Sequence, residues 1–191
     1  MADIQVFMSV SLDGVMQAPA RADEDTRGRF SRGGWATKHA DPVMWEEMGR
    51  AGSLLFGRRT YEDFYNVWPK RSDNPFTPVL NASQKYVVSR TLEEPLPWEN
   101  STPLRGDAAA AVAGLKEKLD QDIMILGSGE LVRSLMGSDL IDGYTLLIHP
   151  LVLGQGQRLF ADGGSPAELE LVGSKTTGTG VVIATYRTGI G

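Results

Sequence analysis

Apolar positions along the chain change their period several times, and each change marks an element. Ile4 to Val10 is a β-branched and aromatic run that stops at Ser11-Leu12-Asp13-Gly14, the pattern of a buried strand ending in a turn. Ser53 to Gly57, Lys85 to Ser89, Asp122 to Leu126 and Asp142 to Ile148 are further short apolar runs of strand length. Between them the apolar spacing lengthens to three and four. Asp41-Pro42 reads as an N-cap with Pro at the first helical position, followed by Val43, Met44, Met48 and Ala51 on one stripe and closed by Gly52. Arg58 to Val67 predicts a second helix, stopped by Trp68-Pro69. Asp107 caps an alanine-rich helix whose Val112, Leu115 and Leu119 share a face. An amphipathic helix also follows Gly127 and runs to Met136, and Leu169 to Lys175 with Val181 to Arg187 reads as a hairpin pair.

Strands alternating with helices up to about residue 140 predict parallel pairing, right-handed crossovers and helices on both faces of a sheet. The β-rich end then adds antiparallel strands at one edge, so the fold class is α/β. A chain of 191 residues matches a single domain over 1–191. One stretch resists this pattern. From Gln17 to Thr37 the chain is polar and glycine-rich, carries Arg21, Arg27, Arg29 and Arg32, and predicts no regular element. A loop of that length inside a compact domain points to function.

Composition then narrows the chemistry. The chain has 0 Cys, which removes disulfides, thiolate metal sites and cysteine nucleophiles. Its 2 His, His39 and His149, lack ligand spacing, so no metal is expected. A net charge of −5 argues against a nucleic-acid partner. No basic region precedes the first apolar run, and no run approaches the roughly 18 residues of a membrane span. The expectation is a soluble, cytoplasmic protein with a small-molecule partner and no membrane segment.

Two glycine turns at strand ends carry the candidate chemistry. Gly127-Ser128-Gly129-Glu130 joins a strand to a helix start, where glycine backbone and unpaired N–H groups favour an anion. It lacks the third glycine of the dinucleotide fingerprint and the Lys of a P-loop. Gly57-Arg58-Arg59-Thr60 repeats the arrangement with cations and a hydroxyl, and Ser89-Arg90 follows another strand. Two such turns suit the ends of a dinucleotide, and a guanidinium suits a 2′-phosphate.

Four ordered motifs, Ser11 to Gly14, Leu55 to Glu62, Met124 to Glu130 and Ile148 to Gly156, resemble the dihydrofolate-reductase-like superfamily. The nearest branch is the reductase domain of the bifunctional riboflavin-biosynthesis deaminase-reductase, and the resemblance runs from about Ile4 to Arg187. It implies a three-layer fold with a mostly parallel sheet, an NADPH-dependent reductase and a homodimer. It assigns Gly57, Arg58 and Thr60 to the cofactor phosphates, Ser89 and Arg90 to the adenosine 2′-phosphate, and Gly127, Ser128, Gly129 and Glu130 to the pyrophosphate. The deaminase half is absent, since the chain has no H-x-E and no P-C-x-x-C.

Reduction also needs an acid. By the same resemblance Asp41 is the catalytic carboxyl group and Trp35 the aromatic that meets substrate; Asp13 is the rival acid. Each Asp also has a structural reading, as helix cap and turn residue. The first substrate to expect is the ribosylaminopyrimidine of riboflavin biosynthesis. Dihydrofolate reduction, a paralogue with another acceptor, and a non-catalytic NADPH-binding sensor are the alternatives.

Overall fold

The computed structural model describes residues 1–46 and 52–189. β1 (Ile4–Ser11) lies inside an eight-stranded sheet with β2 (Ser53–Gly57), β3 (Gln84–Val88), β4 (Ser101–Leu104), β5 (Ile123–Leu126), β6 (Gly143–His149), β7 (Leu169–Thr176) and β8 (Val182–Thr188). The order is β4-β3-β2-β5-β1-β6-β8-β7. β4 through β6 in that order pair in parallel, and β6–β8 and β8–β7 pair antiparallel. Among the described residues the α-helices are α1 (Arg58–Val67), α2 (Phe76–Ala82), α3 (Ala108–Lys118) and α4 (Gly129–Met136). The predicted α/β architecture with an antiparallel C-terminal edge is the one the chain adopts.

Alternation along β1 explains the layers. Ile4, Val6, Met8 and Val10 join a core with Val112 and Leu115 of α3 and Leu131, Val132 and Leu135 of α4. Phe7 points to the other core, with Leu54 and Phe56 of β2, Tyr61 of α1, Phe76 and Leu80 of α2, and Trp98. Because β5 is buried on both faces, its sequence reads as a continuous apolar run and not as an alternation.

Three stretches differ from what the apolar pattern predicts or leaves unread. Of the helix predicted from Asp41, the described residues show a 3-10 turn over Pro42–Trp45, with Asp41 accepting a hydrogen bond from Val43 N at 3.0 Å. Glu47, Met48 and Ala51 lie outside the described residues. The Pro-rich connection before β3 hides α2, because Pro78 falls in its first turn, where a missing N–H costs nothing. β4, which carries Pro103, is an edge strand, and an edge tolerates proline. Lys85 then closes α2: its buried Nζ donates to the carbonyls of Leu80, Asn81 and Ser83 and lies 4.8 Å from the Trp98 ring centre.

Segment 17–37 has one 3-10 turn, Arg27–Arg29, and the start of another at Thr37–His39, yet it is built around its own small core. Phe30 and Trp35 pack with Val15, Ala18 and Leu153. The buried Gln17 amide donates to the carbonyls of Asp25 and Arg27 and accepts from Gln157 N.

Candidate functional site

The two glycine turns stand at the carboxyl ends of neighbouring strands, since β2 and β5 pair with Leu55 opposite Ile125. They are locked to each other. Gly57 N donates to Ser128 Oγ at 3.0 Å, Ser128 N donates to Thr60 Oγ1 at 3.2 Å, and Ser128 Oγ donates to Leu126 O at 3.2 Å. Ser128 needs these bonds because it sits in the left-handed region at φ 55°, a conformation that costs a non-glycine residue about 1 kcal/mol or more. Gly127 precedes it at φ 57°, and a Cβ there would stand 3.3 Å from Thr60 Cγ2. A Cβ on Gly129 would meet the thioether of Met16 at 2.0 Å, so only glycine lets Met16 lie across the start of α4.

In front of these turns is a cleft of about 910 Å³. It is lined by Thr60, Gly127 to Glu130 and residues from the 17–27 segment. Phe7, Ser9, Leu126 and Leu147 contribute from the sheet, and Phe64, Val67 and Trp68 from α1 and its end. Ion pairs tie the segment to α1 and α4. Arg21 holds Asp63 of α1, and Arg27 holds both its neighbour Asp25 and Glu130 of α4. Arg59 approaches the same Glu130 carboxylate at 3.2 Å. These pairs answer a question the sequence raises, namely why cations occupy the first turn of α1 against the helix dipole. Arg59 faces Glu130, and Arg58 pairs with Glu62 one turn on.

The carboxyl groups of the cleft are not equivalent. Burial raises the proton affinity of Glu24, although its Oε2 accepts from Ala20 N at 2.8 Å and Arg21 N at 3.2 Å. The Asp63 charge adds to that rise. Hydrogen bonds from Arg27 hold Asp25 and Glu130 below the usual carboxylate range.

Of the residues expected at the site, Thr60, Gly127, Ser128, Gly129 and Glu130 line the cleft, with Gly57 immediately behind Ser128. Arg58 does not line it; Arg59 does. Ser89 is buried and accepts from Thr91 N and Leu92 N, each at 3.1 Å, while Arg90 is exposed; neither reaches the cleft lining.

The structure does not bring Asp13, Asp41 or Trp35 to the cleft either. Asp13 accepts from Ser11 Oγ at 2.6 Å, Leu153 N at 3.0 Å and Gly154 N at 2.8 Å. Those bonds, led by Ser11, hold its carboxyl at about 2. Asp41 accepts from Gly178 N as well as Val43 N. Trp35 is buried, donates its indole N–H to Gln17 O at 2.8 Å, and packs edge-on against His149 at 5.2 Å. His149 is fully buried, with Nε2 3.3 Å from Ser9 Oγ, and burial with His39 nearby pushes it down to about 4.

Sequence reasoning did not select Glu24, Asp63 or Trp68, which line the cleft. Asp63 and Trp68 had a readable signal: Thr60, Asp63, Phe64, Val67 and Trp68 recur at helical spacing and all line the cleft. Glu24 had none, because segment 17–27 has no period to read. Among the described residues no cluster of His, Asp or Glu could hold a metal ion, and no helix is long and apolar enough to cross a membrane.

Residues 2–183 match the family model described as the RibD C-terminal domain. Two uncharacterised Bacillus subtilis (strain 168) proteins are similar over nearly their whole length. YwjB is 31% identical over 178 residues, covering 92% of each chain. YyaP is 27% identical over 184 residues, covering 94% of this chain and 91% of its own. Among solved structures, a Shewanella sp. PV-4 protein provisionally assigned to riboflavin biosynthesis superposes with a TM-score of 0.74 at 24% identity, over 99% of both chains.

Proposed function

The chain belongs to the RibD C-terminal domain family, and on that premise we propose that it is an NADPH-dependent reductase of the riboflavin-biosynthesis type, acting on a small heterocyclic or sugar-bearing substrate. One observation carries this reading. Two glycine turns on adjacent strands are locked by Ser128 and Thr60 at one wall of a cleft of about 910 Å³, and that wall suits a dinucleotide's phosphates. NADPH supplies the hydride when bound. Gly127, Ser128, Gly129 and Glu130 offer backbone to the pyrophosphate, with the Thr60 hydroxyl beside them. Gly57, Arg58, Ser89 and Arg90 follow the ends of neighbouring strands, Gly57 standing opposite Val88, and we assign them to the adenosine end.

The protein's other task is to hold a proton near the acceptor. We assign it to Glu24 in preference to Asp41 or Asp13, because Glu24 lines the cleft and burial favours its protonated form. The apolar surface of Phe7, Leu126, Leu147 and Phe64 excludes water, and Trp68 replaces Trp35 as the aromatic available to a flat substrate.

Assembly and location extend the same reading to a cytoplasmic homodimer. β7 is an edge strand exposed on both faces, with Leu171 55% and Val172 53% exposed, and a second copy would cover it. Leu171→Lys should convert the dimer to monomer in sedimentation; an unchanged mass rejects this interface.

The activity test is direct. NADPH is titrated in, then the ribosylaminopyrimidine of riboflavin biosynthesis and dihydrofolate are added in turn while reduced-nicotinamide absorbance is followed. Acceptor-dependent oxidation supports the reductase. Binding without oxidation by either acceptor leaves the sensor and the paralogue with another acceptor, and no binding rejects every NADPH reading.

A further inference from the structure

We propose that Arg27 and Arg59 form a two-guanidinium clamp for one phosphate of the bound nucleotide, and that the Glu130 carboxylate occupies this clamp as an internal stand-in which the phosphate displaces. The proposal rests on the NADPH reading above and assigns a new role to residues from three separate elements. Arg27 comes from the 17–37 segment, Arg59 from the first turn of α1 and Glu130 from the first turn of α4, and all three line the cleft.

The contacts explain why the clamp is already assembled. Glu130 Oε1 accepts from Arg27 Nη1 and, at 3.2 Å, from Arg59 Nη1; Oε2 lies 3.4 Å from Arg59. A single carboxylate thus gathers two guanidiniums. Arg27 does not depend on Glu130 for its place, because Asp25 engages its other edge, through Nε at 2.9 Å and Nη2 at 2.6 Å. When Glu130 leaves, Nη1 stays presented to the cleft.

Arg59 and Glu130 are more than half exposed, so their pairing is solvent-screened and readily exchanged. A phosphate brings more negative charge and more acceptor oxygens than a carboxylate and matches the guanidinium fork. Exchange leaves the Glu130 carboxylate free to turn to solvent. The clamp also links cofactor to acid: Glu24 stands three residues before Arg27, and Gln17 fastens the stretch by its bonds to Asp25 O and Arg27 O.

The test is a pair of titrations, NADPH and NADH, read by quenching of tryptophan fluorescence on the folded protein. The set is wild type, Arg27→Gln, Arg59→Gln, Arg58→Gln and Glu130→Gln, each checked for an unchanged melting transition. Arg27→Gln and Arg59→Gln should each weaken NADPH about tenfold or more, the loss of one charge-assisted contact. Loss for NADPH alone places the 2′-phosphate in the clamp, and equal loss for NADH places the pyrophosphate there.

Glu130→Gln should tighten binding several-fold, because the competing carboxylate is gone. Weaker binding by Glu130→Gln overturns the displacement. Unchanged affinity in both arginine variants overturns the clamp while leaving the cofactor reading standing. A wild-type protein that binds neither nucleotide removes that reading and the clamp with it.

Discussion

Asp13 and Glu130 occupy comparable places, each an acidic residue beside a glycine in a turn just past the end of a parallel strand, yet the fold uses them in opposite ways. Asp13 accepts from Ser11 Oγ, lies 3.5 Å from Arg158, and is fixed by two backbone N–H groups that cannot move without unfolding the 150–154 loop. Glu130 is held by two arginine side chains at the mouth of a cleft. Side chains can rotate away and backbone amides cannot. Donor type, more than residue type or position in the topology, separates the scaffold carboxylate from the site carboxylate.

Acid should break the scaffold corner first and most deeply. His149, paired in register with Ser11, has its ordinary value of 6.5 lowered to about 4 by burial and by His39. The unfolded chain then takes up a proton that the folded chain refuses, so stability falls as pH drops from 6.5 to 4. The loss is about 3 kcal/mol by the end of that window. Asp13, lowered to about 2 from 3.8, adds a further loss of about 1–2 kcal/mol as pH falls through that lower range. Urea unfolding across this pH range checks both, and His149→Gln should flatten the upper window.

At neutral pH the comparison can be made by substitution. Asp13→Asn replaces a charged acceptor of two amides with a neutral one and should cost about 2 kcal/mol in the urea midpoint. Glu130→Gln should change stability by no more than about 0.5 kcal/mol, as an exposed ion pair does. Equal effects would erase the distinction between the two carboxylates.

A third carboxylate sharpens it further. Glu24 has both backbone donors and a place in the cleft, and it is the group whose burial raises its proton affinity. In its proposed role as proton source it must be protonated to act, so turnover should decline as pH rises through its elevated pKa. Glu24→Gln should lower kcat about tenfold, worth about 1.4 kcal/mol, remove that alkaline limb and leave NADPH affinity unchanged. A retained limb would move the acid elsewhere, with Asp41→Asn the next variant to measure.

How much of this was legible before any coordinates depends on how locally each feature is encoded. β2 and α1 match the predicted 53–57 and 58–67, because a continuous apolar run and a stripe on a helix are local signals. Both glycine turns were visible for the same reason. α2 and β4 were not, since Pro78 and Pro103 act as breakers only where an N–H is needed. That Asp13 and Asp41 stay out of the cleft lining was not legible for a longer-range reason. Whether Asp13 faces a substrate or Leu153 N is decided 140 residues away, and Glu24 lies in a loop whose order comes from Gln17, Phe30 and Trp35.

A milder loss than that of Asp13→Asn tests the interlock of the two turns. Ser128→Ala removes the acceptor of Gly57 N and the donor to Leu126 O while retaining the Ser128 N bond to Thr60 Oγ1. The loss should be about 1 kcal/mol, one partly buried hydroxyl's worth of hydrogen bonding. Thr60→Val removes the remaining bond at near-constant shape. If the turns form one unit, the double variant should lose less than the two singles added together, because either change already frees Ser128 to leave its strained φ. Additive losses would mean that the two turns are built independently and share only a neighbouring place in the sheet.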